Sequence, residues 1–261
     1  MVAFAEHLRG TASRRDPPYR PLATLSPEER GALRERIGGV ENYSSPTLRR
    51  LVEVDPSNVE LRKALVSGIM SAEFAGVDAF GRKVVEWQDW PVPPTLILAM
   101  ARQTWDEVRH AQLAKGVLEA YGGVVGEYPD TLAGGGGGAG ARPQAAGDEG
   151  RDPIISLSTV NVALEGAALV GFAETSALGR KIGDRLLEHC YDYNWADEVT
   201  HTAIGDYFVK QLCDGDPAKE RRALVAQARF EAGRALSGEQ TEEIRRFFAE
   251  EDERGAEALG G

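Results

Sequence analysis

The pentad Asp-Glu-x-x-His occurs twice in this chain, as Asp106-Glu107-Val108-Arg109-His110 and as Asp197-Glu198-Val199-Thr200-His201. The chain has only four histidines in 261 residues, and two of them stand in this pattern. Composition alone would give roughly 0.4 Glu-x-x-His matches in such a chain. A three-residue spacing brings Glu and His together only on a helix, where it stacks them about one turn apart on one face. Both segments are therefore expected to be helical, with that face turned towards a partner that accepts carboxylate and imidazole together. The bland alternative is a pair of exposed Glu–His contacts on helix surfaces.

A glutamate precedes each pentad at almost the same distance. Glu73 lies 34 residues before Glu107, and Glu165 lies 33 before Glu198. Equal arms of an antiparallel helical hairpin place each Glu level with its pentad. Glu86 and Glu174, the competitors, are too near the motifs to leave room for two arms and a turn. Glu73 shares a helical face with Ile69, Met70, Val77 and Phe80, and Glu165 shares one with Val162, Ala168, Leu169 and Phe172. A carboxylate on an apolar stripe is costly unless it is paired or bound to metal. These residues predict a two-metal centre with the ligands Glu73, Glu107, His110, Glu165, Glu198 and His201, the ligand pattern of di-metal bundles. Asp106 and Asp197 are expected to accept hydrogen bonds from the non-ligating nitrogens of the histidines, crosswise, Asp106 from His201 and Asp197 from His110. Arg109 is expected to brace the same network. A substrate pocket is expected between the helices, lined by Phe74, Val77, Gln103, Leu169 and Phe172.

Helix signals run along the whole chain. An extended arm comes first, through Pro17, Pro18 and Pro21. Ser26-Pro27-Glu28-Glu29 reads as a capping box with proline at the first helical position. A second short helix is expected from Ser45-Pro46, and Asp55-Pro56-Ser57-Asn58 marks a third helix start. Long helices are predicted from that third start to about residue 87, and over about 95–121, 154–178 and 184–213. Prolines 91, 93 and 94 break the first pair, and Gly179 is expected to stop the third helix. Asp216-Pro217 starts a fifth helix, and Ser237 to Gln240 starts a sixth, with Ile244, Phe247 and Phe248 on a buried face. Some thirty aperiodic residues separate the second and third long helices, including an unbroken Gly134 to Gly138. So long a connection is unusual in a compact domain, but it suits a bundle whose two hairpins are joined by one crossover. The expectation is all-α: residues 1–56 as arm and short helices, and residues 57–261 as a four-helix bundle with C-terminal helices, together one domain.

The net charge of −11 opposes nucleic-acid and anionic-membrane partners. Cys190 and Cys213 stand in no metal-ligand spacing and read as reduced thiols. No apolar run reaches the roughly 18 uninterrupted residues of a membrane span, and the first residues lack a signal peptide's apolar core. A cytoplasmic setting is expected.

Glu73 with Asp106-Glu107-x-Arg109-His110, and Glu165 with Asp197-Glu198-x-x-His201, resemble the ligand signature of ferritin-like di-iron oxygenases and oxidases. Versions of it occur in the bacterial multicomponent monooxygenases and the arylamine N-oxygenases. Residues 106–122 and 197–207 also look similar to a bacterial ferritin-like family related to tRNA-hydroxylating di-iron enzymes. The resemblance implies a ferritin-like bundle and two iron ions, Fe2+ or Fe3+, with a manganese–iron pair as the alternative occupancy. It implies O2 and a small-molecule substrate, hydroxylated or N-oxygenated, with a ferredoxin or flavin reductase as electron donor. A homodimer is compatible with it. The same ligands would serve a ferritin-like iron oxidase, a manganese-catalase-type protein, or a non-catalytic metal-binding bundle. Two positions depart from the pattern. Leu169 stands where the multicomponent enzymes resemble this chain but carry a threonine. Ala114 stands where the small subunit of ribonucleotide reductase has its radical tyrosine.

Overall fold

The computed structural model describes residues 25–39, 44–129 and 151–235. Among them there are seven helices and no strand: α1 Pro27–Arg36, α2 Ser45–Val54, α3 Val59–Glu86, α4 Pro94–Ala120, α5 Pro153–Ile182, α6 Arg185–Cys213 and α7 Pro217–Ala235. The expected arm, glycine tract and sixth helix lie outside the described residues.

Local sequence sets the helix ends. The Ser26 hydroxyl accepts from Glu29 N while the Glu29 carboxylate accepts from Ser26 N, completing the capping box. Ser44, Asn58, Asp152 and Asp184 each cap the next helix through a side-chain oxygen. The third long helix does not stop at Gly179. It runs on to Ile182 and ends at Gly183, whose φ of 75° only glycine adopts freely. Gly179 serves packing instead: a Cβ there would lie 2.4 Å from Glu188 N, so it lets α5 and α6 approach closely at their turn.

Four long helices form the bundle, as the hairpins α3–α4 and α5–α6. At the upper end, where α3 begins, Asp184 binds Arg62 at 2.7 Å and Tyr121 Oη at 2.8 Å. At the lower end, Trp87 Nε1 donates to the Arg151 carbonyl at 2.8 Å. Each hairpin is therefore antiparallel, and α4 and α5 run the same way, the arrangement that a single long crossover produces. Helices α1 and α2 seal the upper end through Leu33, Ile37, Leu48 and Val52. Helix α7 packs outside the four, joining Ala223 to Ile154 and Cys213, with Arg222 paired to Asp152.

The core is split into layers. An upper apolar cluster contains Met70, Ala114, Phe172 and Tyr191, and a lower one contains Phe80, Met100, Leu157 and Phe208. In each of the four long helices, the segment between these two layers carries a buried glutamate: Glu73, Glu107, Glu165 and Glu198. Two spans, Val59–Asp89 and Pro153–Ile182, are long and apolar enough to cross a membrane by length and composition. Each carries a buried glutamate of this polar layer on its inner face.

Candidate metal centre

All six expected ligands meet in the polar layer, none more than 8% exposed. They form two overlapping groups. Glu73, Glu107, His110 and Glu198 can hold one ion, and Glu107, Glu165 and His201 a second. His110 Nδ1 lies 3.4 Å from Glu73 and 3.6 Å from both Glu107 Oε2 and Glu198 Oε1. His201 Nδ1 lies 2.9 Å from Glu198 Oε2 and 3.5 Å from Glu107 Oε1. Glu107 and Glu198 thus each direct one oxygen towards either histidine, the disposition of carboxylates that span two ions. Donors each about 2.1 Å from a metal and at right angles to it sit about 3 Å apart. Separations of 3.4–3.6 Å make at best weak hydrogen bonds, as between His110 and Glu73, yet are short enough to surround an ion. Glu107 Oε1 is buried with no hydrogen-bond partner among the described residues, a further sign that a cation fits here.

The outer nitrogens behave as the crossed pattern requires. His110 Nε2 lies 3.1 Å from Asp197, and His201 Nε2 lies 3.3 Å from Asp106. Carboxylates at these positions favour the tautomer that keeps the proton on Nε2 and turns the Nδ1 lone pair inward. Arg109 reaches both aspartates, Asp197 at 2.9 Å, and also contacts Tyr193 Oη. Arg102 adds a contact to Asp106 at 3.4 Å.

Three amide side chains complete the layer, and each stands four residues before a ligand glutamate on its own helix: Gln103, Asn161 and Asn194. Asn161 donates to Gln103 Oε1 at 2.7 Å, Gln103 Nε2 lies 3.4 Å from Glu165, and Asn194 Nδ2 lies 3.4 Å from Glu73. That recurrent i−4 amide is visible in the sequence. Asn161 sits in a π-helical stretch, Leu157–Leu164, immediately before Glu165. Close approach also shapes the site: a Cβ on Gly205 would lie 2.7 Å from Asn161 Cβ, and one on Gly76 would lie 2.9 Å from Glu107 Oε2.

The residues expected to line a pocket are scattered. Gln103 is in the polar layer, and Val77 and Leu169 are partly buried. Phe74 is not interior: it is 48% exposed, since it lies about 100° round the helix from Glu73. Phe172 packs edge-on against Tyr191 in the upper cluster. Glu174, the rejected ligand candidate, pairs with Arg49 at 2.6 Å on the outside.

Bringing these carboxylates together has an electrostatic cost. Burial, then the charges of neighbouring glutamates, pushes Glu107 and Glu165 well above the carboxylate range. Burial and the charge of Glu73 push Glu198 up to about 8. For Glu73, burial is outweighed by hydrogen bonds from His110 and Glu107, and it stays low. His110 is raised: burial opposes its charge, but the bond to Glu73 prevails. Protons thus supply positive charge where four carboxylates converge, and two divalent ions would balance four carboxylates without them. Oxygen and imidazole donors suit iron, manganese or zinc. No family model, curated protein or solved structure matches this chain.

Proposed function

We propose that the chain is a ferritin-like bundle holding a di-iron carboxylate centre, and that it uses O2 to hydroxylate or N-oxygenate a small organic substrate. The observation that carries this reading is the reach of Glu107 and Glu198, each with one oxygen towards either histidine, with Glu73 and Glu165 at opposite ends. Bound iron would supply redox chemistry with O2, taking electrons from a ferredoxin or flavin reductase. Glu73 and His110 would hold one ion, Glu165 and His201 the other, and Glu107 and Glu198 both. Six protein ligands for two ions leave coordination positions for small molecules, as a reactive centre needs and a closed structural site does not.

The surrounding residues keep this arrangement in place. Asp106 and Asp197 fix the imidazole rings, and Arg109 neutralises the two aspartates. Gln103 and Asn161 orient Glu165. Gly76 leaves Glu107 room to change its position as the charge at the centre changes. The apolar layers above and below exclude water from the reaction.

The test is anaerobic loading of the metal-free chain with Fe2+, followed by mixing with O2 and a reductant. Uptake of O2 that depends on Glu107 and His201 is expected. Peroxide consumption by the manganese form, with no O2 uptake by the iron form, would assign the site to the manganese-catalase type. Stoichiometric metal with no redox reaction at all would make it a structural pair.

A further inference from the structure

Lys83 occupies a place where a lysine is expensive. It lies on the inner face of α3 below the carboxylates, 6% exposed, and its Nζ has no hydrogen-bond partner among the described residues. Its neighbours are aromatic: Nζ is 4.5 Å from the centre of the Phe80 ring and 5.5 Å from that of Trp87. Cation–π contacts of this kind fall short of the cost of burying an ammonium. The carboxylates that act on it through space are Glu165 and Glu107, both belonging to the proposed ligand set and so committed to ions of opposite charge. Two further buried atoms in this half of the bundle lack partners among the described residues, Ser158 Oγ and Asn161 Oδ1, both on the π-helical stretch. Leu157, beside Ser158, packs in the same cluster as Phe80 and Trp87. The Phe80 ring in turn lies 6.4 Å from that of His201. Phe80 thus lies beside both the Lys83 amine and His201, one of the proposed ligands.

We propose that Lys83 anchors the substrate, and that the substrate is a small organic acid whose carboxylate pairs with the Lys83 ammonium while its apolar body lies along Phe80 towards the cluster. This rests on the reading of the cluster as a reaction centre. An ammonium and a carboxylate that meet in apolar surroundings form a charge-assisted hydrogen bond and remove each other's net charge. Ser158 Oγ, buried in the same half of the bundle without a partner among the described residues, would be the second donor to that carboxylate. Lys83 touches none of the proposed metal ligands, so it acts here as a binding residue. Burial pulls its amine down to about 7, so near neutral pH it takes up a proton readily when an anion arrives.

The test uses the full chain loaded with iron, its metal content measured separately. Benzoate and octanoate are titrated by calorimetry, with benzamide and octanamide as uncharged counterparts. Saturable binding of one acid is expected, at least tenfold tighter than its amide. Lys83→Met should keep the metal and lose that preference, and Ser158→Ala should weaken acid binding several-fold. Should Lys83→Met fail to fold, Lys83→Gln provides the same comparison. Equal binding of acid and amide by the native chain would overturn the proposal, as would undiminished acid binding by the Lys83 variant, which would mean that acids ligate the metal directly. If the chain holds no iron but still prefers the acid through Lys83, the anchoring role stands and the oxygenase reading falls.

Discussion

Gly76→Ala separates metal affinity from fold stability, because the two should move in opposite directions. A Cβ at residue 76 would lie 2.9 Å from Glu107 Oε2, 3.0 Å from its Cδ and 3.1 Å from its Cγ. Ordinary contacts begin near 3.4 Å, so the carboxylate must retreat by about half an ångström. Metal–ligand distances tolerate about 0.2 Å, and a carboxylate spanning two ions has to satisfy both. Affinity for the pair should therefore fall on the order of 10–100-fold, the size of loss seen when the surroundings of a ligand are disturbed. Without metal the contact falls on the end of a side chain that no ion holds, which is expected to give way. There the only backbone effect is glycine to alanine within a helix, worth about 0.5–1 kcal/mol in favour of the variant. Chelator competition measures the first quantity and urea unfolding of the metal-free chain the second. Native affinity in the variant, or a metal-free loss of the 1–3 kcal/mol that overpacking costs, would refute the placement of Glu107.

Asp197→Asn presents an amide to His110 Nε2 in place of a carboxylate acceptor, and should cost about 10–100-fold in metal affinity without unfolding the chain, as chelator competition would show. Glu165→Ala should lose at least one ion by elemental analysis, while Glu174→Ala should lose none, since its pair with Arg49 leaves Glu174 56% exposed and is worth about 0–1 kcal/mol. The metal-free chain should lose stability as pH rises from 5 to 7. Glu107, Glu165 and Glu198 have folded pKa values raised above their unfolded ones, so their contribution is complete below the unfolded value and declines as pH climbs towards the folded value, about 8 for Glu198. His110, also raised, adds to the same decline at the upper end of that range. The urea midpoint checks this, and it should flatten on metal loading, because ions then replace the protons.

The ligand-bearing helices were legible in the sequence because their signals repeat. Two pentads and two equal arms bring six side chains to one level, and the crossed pairing of Asp106 with His201 and Asp197 with His110 follows from approximate two-fold symmetry. What escaped was local or depends on the third dimension. The π-helical stretch at Leu157–Leu164 changes the turn without changing the apolar pattern. Gly179 reads as a stop but serves a close helix crossing, and nothing in one strand of sequence shows what a glycine faces. Phe74 is expected beside Glu73 in a pocket, yet one position along a helix is enough to turn it out. Asn161 and Asn194 had a signal, the amide four residues before a ligand glutamate, which is plain once Gln103 is seen to share it. Lys83 carries none, since a lysine within an apolar run looks like any residue on a solvent face.

Anaerobic titration of Fe2+ into the metal-free chain, followed by calorimetry, tests the central claim most directly. Saturation at two ions per chain is expected in the native protein, with at most one bound tightly by Glu107→Ala or His201→Ala. A native chain that folds yet retains no iron would contradict the proposed centre, whatever else it binds.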